Sequence, residues 1–181
     1  MDFLSLNTSA IAATTDKNNN TYIAGNLKSS TFDFGGTTLT FGASTGVWVA
    51  KYDHNDNLVW VKQWNSDKAH DSYGDYARGI AVDSDGNVFH SIGVMGGGDR
   101  NGGGTDTFDA DPGPGTAQIS TPSFNQAAAL IKLDANGSFE WVKNTGVSGG
   151  AGRITVDPEN NVYLTGTYRD GASIGGVTME S

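Results

Sequence analysis

Ser44 sits in Gly42-Ala43-Ser44-Thr45-Gly46, which formally fits the G-x-S-x-G turn that presents a nucleophilic serine above a sheet. That chemistry needs a strand before the serine and a helix after it. The next residues, Val47-Trp48-Val49-Ala50-Lys51-Tyr52, are instead a strand-like run, and no motif places a histidine as base. The segment therefore reads as a glycine–serine loop. His54, His70 and His90 are the only imidazoles, 16 and 20 residues apart, with no His-x-x-x-His pair. Cysteine is absent, so zinc lacks a ligand set, and disulfides and thiolate nucleophiles are excluded.

Calcium is the metal that Asp- and Asn-rich turns favour, because it takes hard oxygen ligands. Asp53-x-Asn55-x-Asn57 matches the opening of an EF-hand loop, but Leu58 occupies the required glycine position and Trp64 the closing glutamate position. The shorter cluster Asp83, Asp85 and Asn87 stays as the candidate metal set, with calcium the only cofactor in view. A turn role already explains its first aspartate. Asp106, Asp109 and Asp111 add acidity to a further loop. The tract Gly146 to Gly152 is glycine-rich but runs from strand to strand rather than into a helix, so it reads as a linker and not a phosphate cradle.

The elements that carry these residues repeat. Gly79-Ile80-Ala81-Val82-Asp83-Ser84-Asp85-Gly86-Asn87-Val88-Phe89 recurs as Arg153-Ile154-Thr155-Val156-Asp157-Pro158-Glu159-Asn160-Asn161-Val162-Tyr163, and more loosely as Ala12 to Tyr22. Val49 to Lys62 recurs 81 residues further on as Leu130 to Lys143. Each segment is two short alternating runs around a turn, the pattern of a β-hairpin. All five turns open with aspartate (Asp16, Asp53, Asp83, Asp134, Asp157), whose carboxylate can accept the N–H two residues on. Their fourth positions are Asn19, Asp56, Gly86, Gly137 and Asn160, types that tolerate a left-handed backbone.

Both faces of the strands are apolar. Leu58 and Trp60 share one face with Val59 and Val61 opposite, while Ile80 pairs with Val82 and Ile154 with Val156. Ala13 and Thr15 make the first copy the degenerate one. A sheet apolar on two sides needs a layer against each, which radial stacking of four-stranded blades supplies. The expected fold is all-β, a partial β-propeller of two four-stranded antiparallel blades plus the first half of a third. Blade 1 is 1–76 (strands about 11–16, 20–27, 46–53 and 57–64), blade 2 is 77–150 with a glycine-rich insertion at 96–104, and 151–181 begins blade 3. Two and a half blades cannot close a ring, so apolar faces should lie open and the chain should self-associate or belong to a longer array.

The pattern Gly-Ile-Ala-Val-Asp-Ser-x-Gly-Asn-Val-Phe, followed by an apolar-Lys-apolar-Asp strand, a turn and an aromatic strand, resembles the bacterial SBBP-type β-propeller repeat. So do Phe108 to Thr116, with Phe32 to Thr37 as the shorter counterpart. That resemblance implies a secreted or cell-surface protein and a structural role.

Partners are then neighbouring blades, a second copy, or a protein or glycan ligand. Acidic excess (11 Lys and Arg against 20 Asp and Glu, net −9) repels nucleic acid and anionic lipid, and no run is long enough to span a membrane. Trp60 and Trp141 share one repeat position and read as packing residues, whereas Trp64 has no counterpart and reads as an exposed aromatic. With Asp99 and Arg100 of the insertion it forms the candidate contact set, and no catalytic residue is assigned. Two further readings stand: a fragment of a propeller hydrolase or lyase, and a calcium-stabilised adhesive repeat.

Overall fold

The computed structural model describes residues 8–28, 31–41, 45–64, 75–95, 105–122, 126–147, 149–168, 173–174 and 177–178. Among them there is no helix. In chain order, β1 (Thr8–Thr15), β2 (Thr21–Lys28), β3 (Thr31–Asp33), β4 (Thr38–Thr40), β5 (Thr45–Tyr52) and β6 (Leu58–Trp64) make the first repeat. The second holds β7 (Tyr76–Val82), β8 (Val88–Met95), β9 (Thr105–Asp109), β10 (Gln118–Pro122), β11 (Gln126–Leu133) and β12 (Phe139–Val147). The third holds β13 (Gly149–Val156), β14 (Val162–Tyr168), β15 (Ser173–Ile174) and β16 (Val177–Thr178).

Strand order is β1-β2-β5-β6 in one four-stranded sheet and β7-β8-β11-β12 in the next, antiparallel throughout, with β13 and β14 forming a two-stranded ladder. These are two complete blades and a half blade. The pairs β3–β4 and β9–β10 are small hairpins inserted between the second and third strands of their blades. First strands lie side by side, β1 next to β7 and β7 next to β13, as strands around a common axis do.

Irregularities repeat as faithfully as the strands. The ladder slips between Ala10 and Ala12, between Ala77 and Gly79, and between Ala151 and Ile154, the same place in each first strand. It slips again at Lys51/Tyr52 and at Lys132/Leu133. A bulge adds local twist, so recurring bulges give each blade the same shape. The tract expected as a linker is mostly strand: β12 runs to Val147 and β13 opens at Gly149. Its glycines serve close backbone approach, since a Cβ on Gly152 would lie 2.7 Å from the Thr165 carbonyl oxygen.

Face assignment follows from register. Tyr22, Ala24, Val47 and Val49 of blade 1 meet Val88, Ile92, Ala129, Ile131 and Leu133 of blade 2 in one buried core. On the far side of blade 1, Leu27, Trp48, Ala50 and Tyr52 pack beneath Phe34 and Phe41 in a second core.

The two repeated tryptophans sit in matching surroundings. Trp60 meets Tyr22 edge-on at 6.2 Å and Trp141 meets Phe89 at 6.0 Å. Lys51 lies 5.2 Å over Tyr22 and Lys132 lies 5.7 Å over Phe89. Repeat position thus sets environment, as the sequence implies.

Candidate interaction surface at the hairpin turns

Antiparallel order puts all five Asp-led turns at one end of the blades, and the inserted hairpins at the other. Each turn is closed twice by its own backbone. In the first, Asp16 N–H donates to the Asn20 carbonyl and Asn19 N–H to the Asp16 carbonyl, and the other four repeat this. The fourth residue has positive φ every time: Asn19, Asp56, Gly86, Gly137 and Asn160.

The aspartate does more than the sequence suggests. Oδ1 of Asp16, Asp53, Asp83 and Asp134 accepts the N–H two residues on at 2.8–2.9 Å. In all five turns it also accepts the N–H four residues on. The second oxygen takes a side-chain amide from Asn20, Asn57, Asn87 or Asn161 at 2.7–3.0 Å. This fifth-position asparagine was missed by sequence reasoning although it recurs in four of the five turns. Tyr22 and Tyr163 hydroxyls donate to Asp16 and Asp157 as well.

These donors lower carboxyl pKa values. The Asn57 side chain, with the Asn57 and Asn55 amides, does so at Asp53. At Asp16 burial opposes the change, but the Asn20, Asn18 and Tyr22 donors outweigh it. Burial likewise opposes a net lowering at Asp134, where the Ser138 and Asn136 donors prevail, and the Asn161 side chain leads at Asp157.

That geometry bears on the metal candidates. Both oxygens of Asp83 and of Asp53 are taken up by their own turns. Asp85 is exposed, and Asn87 uses its amide nitrogen on Asp83. Among the described residues no three His, Asp or Glu side chains converge to hold an ion. The Asp53 and Asp83 carboxylate oxygens are thus engaged on their hairpins, while the Asp85 carboxylate stands at the surface.

Where blades 1 and 2 meet, the turn end opens into a polar cleft of about 360 Å³, its walls including Asp16, Lys17, Lys51, Ser84, Asp85 and Ala135. Lys51 Nζ and Trp60 Nε1 both donate to the Ala135 carbonyl, at 3.1 and 3.2 Å, so its floor is tied across the blade boundary. Lys17 and Asp85 stand exposed on opposite sides and present both charges to solvent. Such a cleft can hold a polar, charged segment of a partner.

His90 is fully buried between blades, where Nδ1–H donates to the Gly79 carbonyl at 2.9 Å. Burial depresses its pKa to about 4. Gly42 to Ser44 and His70 lie outside the described residues, but the segment after Ser44 is β5, a strand and not a helix.

Trp64 corrects the sequence reading. It is 2 % exposed, and its Nε1 donates to the Ala110 carbonyl of the next blade's inserted hairpin at 2.9 Å. Its ring also lies 5.7 Å from His90. A residue with no repeat counterpart turns out to be a wedge into blade 2, where Ala110 and Ala129 leave it room. Asp99 and Arg100, with the whole 96–104 insertion, fall outside the described residues.

Against this geometry, the chain is similar to an uncharacterized WD repeat-containing protein, L264, of Acanthamoeba polyphaga mimivirus, at 25 % identity over 183 aligned residues. Propeller-like repeats are the common ground. The alignment takes in 86 % of this chain and 12 % of that protein. No family model matches the chain.

Proposed function

We propose that this chain is a non-catalytic interaction module: propeller blades acting as a rigid frame, with the turn-bearing end as the contact surface for a protein partner. The observation that carries it is the turn geometry. Carboxylates that in an enzyme or a metal site would face solvent are engaged in holding the hairpins, which leaves the second and third turn residues to face outward. WD repeats in the mimivirus relative support an interaction role, because ring-like repeats present many loops on one rigid body. The SBBP-type resemblance and the secreted or surface setting it implies belong to the same proposal.

The test is a peptide-display screen against the purified chain, followed by Lys17→Glu and Asp85→Lys. Each reversal should weaken cleft-binding hits about tenfold or more while leaving the melting temperature unchanged. Hits indifferent to both substitutions would move the contact surface elsewhere. Turnover in a panel of hydrolase and lyase substrates would overturn the non-catalytic reading.

A further inference from the structure

Lys51 of β5 and Lys132 of β11 hold one repeat position, but their charges are met differently. In blade 2 the ladder pairs Lys132 with Trp141 and Leu133 with Phe139, so Glu140 bulges out between them and reaches Lys132 Nζ at 2.7 Å. Blade 1 repeats the backbone without the acid. Lys51 pairs with Trp60 and Tyr52 with Leu58, and the bulged residue between them is Val59, 51 % exposed. Among the described residues no carboxylate lies within ion-pair distance of Lys51.

An ammonium carries three donors, and Lys51 uses one on the Ala135 carbonyl at 3.1 Å. A neutral carbonyl accepts a hydrogen bond but brings no countercharge. The same Nζ lies 5.2 Å over the Tyr22 ring, and the half-buried side chain lines the polar cleft between blades 1 and 2. Acids in the cleft walls do not supply what is missing. Asp16 accepts from Asn18, Asn20 and Tyr22 with its two oxygens, and Asp85 stands exposed on the opposite wall. Lys17, also exposed, adds a second cation to the blade 1 wall.

We infer that the cleft seats a single carboxylate side chain of a protein partner, an aspartate or glutamate whose oxygens take the two remaining Lys51 donors, with Lys17 at the rim. This rests on the reading of the turn end as the contact surface. A carboxylate is the group that Lys132 meets on its own blade, and its bond to an ammonium is charge-assisted. A doubly charged phosphate fits less well, because Asp85 faces it and the chain carries net −9. Asp85 also sets the surroundings of the acid: the partner residues beside it are neutral or basic.

Val59→Glu tests this from outside the cleft walls, by giving Lys51 the countercharge that Glu140 gives Lys132. The probe is an array of short peptides in which each Asp- or Glu-containing sequence stands beside its Asn or Gln twin and a phosphoserine twin, read with the purified chain. Acidic peptides should bind, and their amide twins should bind about tenfold or more weakly. Val59→Glu should weaken the acidic set by a similar factor, whereas Val59→Gln should leave it unchanged. Lys51→Met should abolish the preference for acid over amide. The carboxylate assignment is overturned by amide twins that bind as well as their parents, by phosphoserine twins that bind more tightly, or by acidic peptides indifferent to Val59→Glu in a variant that melts like the parent protein. Those outcomes leave the interaction reading standing where Lys17→Glu and Asp85→Lys still weaken the hits. Hits indifferent to all of these substitutions would overturn both.

Discussion

At the seam between blades 1 and 2, strands β2, β5 and β6 all reach across: Trp64 donates to the Ala110 carbonyl, Trp60 and Lys51 donate to the Ala135 carbonyl, and Asn26 Oδ1 accepts from Ala77 N–H at 2.8 Å. At the seam between blades 2 and 3, β13 packs on β7, β8 and β11 and the outer strand β12 lies against β15, while the hydrogen bonds among described residues come from inner strands and turns. Ser91 Oγ donates to the Gly152 carbonyl at 2.9 Å, and Ser84 N–H and Oγ both donate to Asn160 Oδ1. Among the described side chains, the first seam thus holds an aromatic wedge and the second short polar links.

The strongest way to break the contrast is Trp64→Ala. It removes a wedge and an indole hydrogen bond together, and should cost about 3–5 kcal/mol in denaturant unfolding. Blade 1 should then unfold separately from blade 2, giving two transitions. A loss below about 1 kcal/mol would show that the first seam does not depend on the wedge.

Acid attacks the same seam. His90 is held neutral, with a folded pKa of about 4 against 6.5 in the unfolded chain, so the unfolded state binds more protons between those values. Stability is full above about pH 6.5 and falls as pH drops toward 4, by about 3 kcal/mol in total. The turn carboxylates, whose folded pKa values are lowered, keep their contribution until pH falls below the unfolded carboxylate range, and so act in more acid solution. His90→Leu, which copies Leu164 of β14, should flatten the upper window and leave the lower one. A pH profile unchanged by that substitution would remove His90 from the account.

Smaller effects sharpen the second seam. Asn160→Gly keeps the positive φ and deletes the acceptor for Ser84, at a cost of about 1 kcal/mol or less given its exposure. In hydrogen exchange β13 and β14 should lose protection first and β8 and β11 last, since the latter are central strands of a complete blade. Uniform exchange across all three repeats would erase the distinction between seams. The smallest expected change is with calcium: millimolar additions should leave the melting midpoint where it was, because a ligand specific to the folded state must raise it. A rise of several degrees would reinstate the Asp83, Asp85 and Asn87 candidate.

Local features of the fold were legible because they depend on residues close in sequence. Aspartate in first place and a left-handed type in fourth place identify a turn without reference to anything distant, and the hairpins come with it. Asn20, Asn57, Asn87 and Asn161 carried an equally local signal that went unread. What could not be seen was which residue meets which across a seam. Trp64 has no repeat partner, so comparison of copies gave it no constraint, while its true complement is the absence of bulk at Ala110 and Ala129. Glycines at 150 and 152 mark a bulge rather than a joint, a difference fixed by the approach of Thr165.

Because the first, fourth and fifth residues hold each hairpin, the second residue's side chain is free of hydrogen bonds beyond its own turn in every turn but one, where the Ser84 hydroxyl reaches Asn160. Lys17, His54, Ser84, Ala135 and Pro158 at the second place already differ in charge and size on one unchanged frame, while the third place is Asn in three turns and Asp85 or Glu159 in the others. The molecule is thus a ready-made display platform: randomising Lys17, His54, Ala135 and Pro158 would diversify one contiguous end of the protein without touching its foundations, whether the diversity is made by selection in nature or by an oligonucleotide library.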